Sequence, residues 1–169
     1  FINDEDNEVN GNITIYSPDA DMILLALILK NKNIKRSIIR INTEKTDISN
    51  VIFDVIDIEF LEHSILKFFK KSKYKESIIN DIVFIFTFFG DDFLPKMESI
   101  NVKNDIELIL NLYKILANKN NFILEKRNNE MTINFKNFIF LLKIFNDNDK
   151  KMLKNVYLLK KYKNYNYLV

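Results

Sequence analysis

The chain reads as an α/β domain followed by a helical extension, and three observations say so. A short apolar strand, an acidic turn, an apolar helix and a second β-branched strand follow one another in the first quarter, which is the β-α-β unit that builds a parallel sheet. Later segments carry helical periodicity with clear stop signals. Hydrophobic residues make up 47% and aromatics 13% of 169 residues, with fifteen Phe and only two Gly, so the chain has ample material for a core and is no disordered tail.

The elements follow in order. Residues 1–12, FINDEDNEVNGN, form an acidic, Asn-rich linker, and a start at Phe rather than Met leads us to expect a piece of a longer polypeptide. Ile13 to Tyr16 is a buried strand, and Ser17-Pro18-Asp19 is the entry to a helix from Asp21 to Leu29. RSIIRI, Arg36 to Ile41, is the second strand. VIFDVID is a third extended piece, whose Asp57 is placed to cap a helix through IEFLEHSILKFFKK. The basic loop KKSKYKES precedes IINDIVFIFTFFG, apolar nearly all round and therefore a buried helix, with Gly90 as its stop. Asp105 to Lys119 is amphipathic with an acidic first turn. A hairpin turns around Asn128-Asn129, and Asn134 opens a further helix. Residues 146–169 are a Lys/Tyr-rich extension read as helical. The Asn/Lys/Ile bias is what an AT-rich parasite or large virus would encode and carries no functional weight.

Composition excludes several classes. A net charge of +2, from 25 basic and 23 acidic side chains, is not that of a polycationic arm, so nucleic-acid binding has to come from a local patch. The absence of cysteine removes disulfides and thiolate metal sites, which leaves oxygen ligands and the single His63. His63 follows Glu62 in mid-helix and is read as a solvent-facing or half-buried histidine rather than a ligand. No apolar run is long enough to span a bilayer, and no membrane partner is expected. The expected compartment is the cytoplasm, with the nucleus as the alternative.

The stretch TIYSPDADMILLAL, Thr14 to Leu27, carries the chemistry. If the extended conformation reached Asp21, Asp19 and Asp21 would share a face. Two unit charges about 4 Å apart repel by roughly 4 kcal/mol at an effective dielectric near 20, so an enclosed pair asks for a cation, a basic partner or a shared proton. A second acidic turn, Asp91-Asp92-Phe93-Leu94-Pro95, follows the buried helix. Hard divalent cations prefer carboxylate oxygens, and a phosphodiester-cleaving site uses one or two of them to activate water. Asp19 as a helix cap and Asp91 or Asp92 as turn residues is the competing reading, and spacing alone does not choose.

These words, in this order, resemble an established pattern. IYSPDADMILLAL, SIIRI, IFDVIDIEFL, NDIVFIFTFFGDDFLPKMESINV and DIELILNLYK are similar to the second half of the catalytic domain of the Xrn family of 5′→3′ exoribonucleases, from about Ile13 to Phe145. The resemblance implies a PIN-like, flap-endonuclease-like nuclease core with a mainly parallel sheet over residues 13–145. It also implies catalytic and metal-binding roles for Asp19, Asp21 and Asp92. Asp91 stands where the family has Asn and is a further candidate ligand; Lys96 and Glu98 depart from the His and Pro usual after that block. Two Mg²⁺ or Mn²⁺ ions and a single-stranded RNA with a 5′-monophosphate are implied as cofactor and substrate. The family's Glu-Gly-Glu motif would lie upstream of Phe1, so the upstream half of the same nuclease domain is an implied partner, and the 169 residues alone are expected to be inactive.

Beside these, Asp81 and Arg40 are candidates to support the metal ligands from behind. Lys71, Lys73, Tyr74 and Lys75 are candidate contacts to a nucleic-acid backbone and a stacked base. Two rival functions stay open. A flap-type DNA nuclease shares the acidic turns but carries a Gly-rich DNA clamp not visible here, and a catalytically dead nuclease-like module would bind RNA or protein without cleaving.

Overall fold

The computed structural model describes residues 11–29, 33–47, 49–70, 72–90, 104–128, 130–148 and 150. The chain divides into two compact units, Phe1–Val83 and Phe84–Val169.

In the first unit, β1 (Gly11–Tyr16), α1 (Asp21–Ile28), β2 (Ile34–Ile41), β3 (Phe53–Asp57), α2 (Ile58–Phe69) and the start of α3 (Lys75–Gly90) follow in order. The sheet has the order β1-β2-β3. β1 and β2 run parallel, with Ile15 opposite Ile38 and Tyr16 opposite Ile39, as the β-α-β reading requires. β3 runs antiparallel to β2, with Ile38 opposite Ile56 and Arg40 opposite Asp54. The expected mainly parallel sheet is therefore corrected to a mixed one. The connection between β2 and β3 explains it, because a parallel return needs a crossover of a dozen or more residues, usually a helix, and no helix is found among the described residues of the 42–52 loop. Asn42 turns that loop instead. Its backbone N–H donates to Ile52 O, and its side-chain oxygen accepts from the N–H of Glu44 and Lys45.

Strand parity decides the core. Ile34 and Ile38 are buried on one side of β2, and Ile38 packs with Ala26 and Leu27 of α1, Ile58 of α2 and Ile79 of α3. Full burial of each such aliphatic side chain contributes about 1.5–3 kcal/mol, and this cluster joins residues of α1, α2 and α3 to β2. Asp57 caps α2 as the sequence predicts, its side chain accepting from Phe60 N–H at 2.8 Å. The helix ends at Lys70 in the left-handed region, φ 53°, whose N–H donates to Lys67 O at 3.2 Å. His63 is exposed, as expected.

In the second unit, α4 (Ile106–Ala117) buries Ile109, Tyr113, Leu116 and Ala117, a single stripe at helical spacing. β4 (Leu124–Arg127) and β5 (Glu130–Ile133) form the predicted hairpin, antiparallel, with Arg127 opposite Glu130. Asn128 takes φ 49° at its turn, where asparagine tolerates the left-handed region that a tight hairpin demands. The following helix, α5 (residues 135–148), opens at Asn134, whose side-chain oxygen accepts from Asn137 N–H at 3.1 Å. Leu141 and Phe145 are fully buried. Phe84, Phe88 and Phe138 meet edge to face or stacked within about 6 Å, and Phe89 lies against Phe145. The expected tail past residue 150 lies outside the described residues. Among those described, no helix is long and apolar enough to cross a membrane.

Candidate functional site

The acidic turn is built by where β1 stops. Pairing with β2 continues one residue past Tyr16, with Ser17 N–H donating to Ile39 O at 3.0 Å, and then Pro18 removes a donor and the strand ends. Asp19 N–H donates to Ser17 Oγ at 3.1 Å, and Asp19 Oδ1 accepts from Asp21 N–H at 3.0 Å. Ile23 N–H donates to Ala20 O, so Asp21 is the first residue of α1. The shared-face geometry of an extended strand is thus replaced by a tight turn: Asp19 folds onto the backbone of Asp21, and both carboxylates are exposed at the helix N-terminus. The helix dipole favours negative charge there, so part of the capping reading is realised by Asp19.

The turn nevertheless lies at the carboxyl end of a parallel strand, the edge at which open α/β sheets present ligand-binding residues. Exposed carboxylate oxygens two residues apart suit a hard cation in chemistry. Among the described residues, no group of three His, Cys, Asp or Glu is arranged to hold a metal ion, so Asp19 and Asp21 supply at most part of a cage. Asp91 and Asp92 lie outside the described residues, as does Lys71.

The other candidates are placed one by one. Asp81, in α3, is the one fully buried charged side chain among the described residues. Arg40 lies on β2 opposite Asp54. Lys73 and Tyr74 belong to a single 3₁₀ turn, Ser72–Tyr74, with Lys73 Nζ 5.7 Å from the Tyr74 ring centroid. Lys75 opens α3 and its Nζ is 2.9 Å from Glu62 Oε1.

A charged group that the sequence reading does not single out is Arg36. Its side chain is only 10% exposed. Nε donates to Glu59 Oε1 at 2.9 Å and Nη1 to the carbonyl of Ala26 at 2.9 Å and to that of Leu29. Nη2 lies 3.6 Å from Glu62 Oε2. The backbone N–H of Arg36 donates to the other Glu59 oxygen. One guanidinium thereby satisfies carbonyls at the end of α1 and ties them to two glutamates of α2. Parity was the signal that could have found it, since Arg36 falls between the inward-facing Ile34 and Ile38.

The geometry alone defines an α/β fold with an acidic turn at a strand end. Comparison with known proteins goes further. The family described as the Xrn1 helical domain matches residues 72–164, starting at the 3₁₀ turn before α3. Over 139 residues the chain is 31% identical to a protein of Acanthamoeba polyphaga mimivirus whose name assigns it provisionally as a 5′-3′ exonuclease; the match takes in 75% of this chain and 22% of that relative. The chain belongs to the Xrn family, a family of exoribonucleases. It spans only about a fifth of the length of the curated relative it matches.

Proposed function

We propose that these residues are part of a metal-dependent 5′→3′ exoribonuclease that hydrolyses single-stranded RNA from a 5′-monophosphate end, in a PIN-like nuclease core completed by an upstream segment of the same polypeptide. The observation that carries the reading is the Asp19-Ala20-Asp21 turn at the carboxyl end of β1 in a chain of Xrn membership. Asp19 and Asp21, with Asp92 and Asp91 from the second acidic turn, would hold Mg²⁺ or Mn²⁺. Two such ions, when bound, lower the pKa of a water and offset charge on the leaving oxygen. The protein's own contribution is to fix the carboxylates. The Ser17–Asp19 and Asp19–Asp21 bonds limit the turn's freedom before any ligand arrives, which is the preorganisation that a two-ion site needs. Asp81 and Arg40 would support this edge from within the fold. Lys71, Lys73 and Lys75 would neutralise phosphates, with Tyr74 offering a face to a base. The compartment in this proposal is the cytoplasm.

The test uses a longer polypeptide that carries the upstream half. Asp92→Asn should abolish release of mononucleotides from 5′-monophosphorylated RNA in Mg²⁺ while leaving binding intact. Equal activity on flap DNA would favour the DNA nuclease, and inertness of wild type and variant alike, with RNA still bound, would mean a binding module.

A further inference from the structure

We propose that the face of the β1-β2-β3 sheet opposite its packed core is a docking surface for an apolar-striped helix of the upstream segment, which rests on the reading above that such a segment completes the domain. Strand parity defines that face. Ile15, Ile38 and Ile56 lie side by side in the register and belong to the core shared with α1, α2 and α3, so the residues that alternate with them project the other way. Tyr16, Ile39 and Val55 form one row across the three strands, and Ile41 and Phe53 form the next. The Tyr16 and Phe53 rings meet edge to face over the middle strand, with centroids 6.3 Å apart. Yet Tyr16 is 61%, Phe53 50% and Val55 66% exposed.

A sheet with one face in water alternates apolar-in with polar-out, whereas a sheet covered on both faces is apolar on both. The outward Phe53 and Val55 of β3 break the first pattern, and none of the five side chains bears a charge. In a sheet that begins with a parallel β-α-β unit, the layer that covers such a face is helical. The fitting occupant is therefore a helix with an uncharged stripe at i, i+3, i+4 and i+7. Patch size decides where that helix comes from. An aromatic side chain carries about 150–250 Å², so the five residues expose on the order of 400 Å², about half of the roughly 800 Å² per partner in a stable interface between separate molecules. A second copy or a free partner would be held weakly by it. A segment of the same polypeptide needs less area, because the covalent link supplies a high effective concentration and lowers the entropy lost on docking. The curated relative has length for such a segment, since its match to this chain takes in only 22% of it. Tyr16 lies three residues before Asp19, so a helix seated on it would also limit the motion of the acidic turn.

The experiment compares the 169-residue chain with a longer polypeptide that carries the upstream half, both in EDTA and without RNA, so that neither metal nor substrate shields the face. The chain has no cysteine, and a thiol introduced as Val55→Cys reports on the patch, its alkylation read peptide by peptide in a mass spectrometer. It should react at least about tenfold more slowly in the longer polypeptide than in the 169-residue chain. Lys126→Cys, exposed in the second unit, should react alike in both. A photo-crosslinker carried on the Val55→Cys thiol should join peptides upstream of Phe1. Val55→Lys should lower the melting temperature of the longer polypeptide by several degrees and barely move that of the 169-residue chain. Equal reactivity of Val55→Cys in the two proteins overturns the proposal, as does a crosslink to a second copy accompanied by a dimer's mass. RNA hydrolysis by the longer wild type in Mg²⁺, with Val55→Cys still fully reactive, sinks the docking surface and leaves the nuclease. Protection without hydrolysis does the reverse.

Discussion

The two ends of α1 use charge in opposite ways. At its start, Asp19 and Asp21 put two like charges on exposed side chains, with a backbone N–H closing the turn between them. At its far end, Arg36 is nearly buried and answered by two glutamates and two carbonyls. Both ends agree with the helix dipole, which accepts acid at the amino terminus and cation at the carboxyl terminus, so the dipole does not distinguish them. Commitment does. A charge that is matched on every side and buried holds the fold together, whereas Asp19 uses one carboxylate oxygen to close a turn and stays exposed to solvent.

The largest expected effect breaks that comparison if it fails. In a polypeptide with RNA hydrolysis, Asp19→Asn or Asp21→Asn should cost at least about 100-fold in single-turnover rate, since each removes a carboxylate from the proposed cage. The melting temperature should barely move, because exposed substitutions stay within about 0.5 kcal/mol. A large loss of stability with unchanged rate would make the turn structural.

Arg36→Met should show the converse. Removing the guanidinium takes the cation away from Glu59, leaves the largely buried Glu62 with Lys75 in place of two cations, and leaves two carbonyls at the helix end unsatisfied, at a cost of about 3 kcal/mol. For a chain of this size that is a fall of roughly 6–12 °C in thermal melting. Adding Glu59→Gln and Glu62→Gln should recover part of the loss, since the two carboxylates that faced the guanidinium are then neutral and Lys75 alone keeps a charge there. A drop that the triple variant does not relieve would mean that the carbonyl contacts, not the ion pairs, carry the stability.

Much of this was legible in the sequence, and the misses have causes. The β-α-β start, the Asn128 hairpin and the Asp57 and Asn134 caps follow from local chemistry, which one short window contains. The direction of β3 does not, because it depends on the loop between strands being too short of structure for a crossover rather than on VIFDVID itself. The Ser17-Pro18-Asp19 entry to a helix at Asp21 is legible in the sequence, and the condition for a shared face is not met because Pro18 ends the strand before the two aspartates. Strand parity marks Arg36 as inward-facing, but its partners, Glu59 and Glu62, lie 23 and 26 residues on, and no spacing rule joins them to it.

A smaller effect tests whether local legibility has energetic weight. Asp57→Ala removes the acceptor for Phe60 N–H and should destabilise by about 1 kcal/mol, read as a shift in the urea midpoint without a change in slope. Asp57→Asn should recover most of it. If both variants behave alike and lose much more, β3 pairing rather than the cap is at stake, because Asp57 also closes the register with Ser37.

The smallest effect concerns the second unit, where Glu125 offers a committed charge on the surface. Asn134 donates to one carboxylate oxygen and Arg127 Nη2 to the other at 2.8 Å. The Asn134 bond first, and then Arg127, hold the Glu125 carboxyl below the ordinary glutamate value of 4.5. A depressed folded pKa means that the unfolded chain binds the proton more readily, so stability rises with pH across the interval between the two values. The contribution is complete above about 4.5 and fades as pH falls through the lowered value. Because the pair is exposed, it should be worth less than about 1 kcal/mol. The stability difference between wild type and Glu125→Gln should therefore be constant near neutrality and shrink in acid. A difference that does not change with pH would mean that Asn134, which also caps α5, is held by its own helix and owes Glu125 nothing.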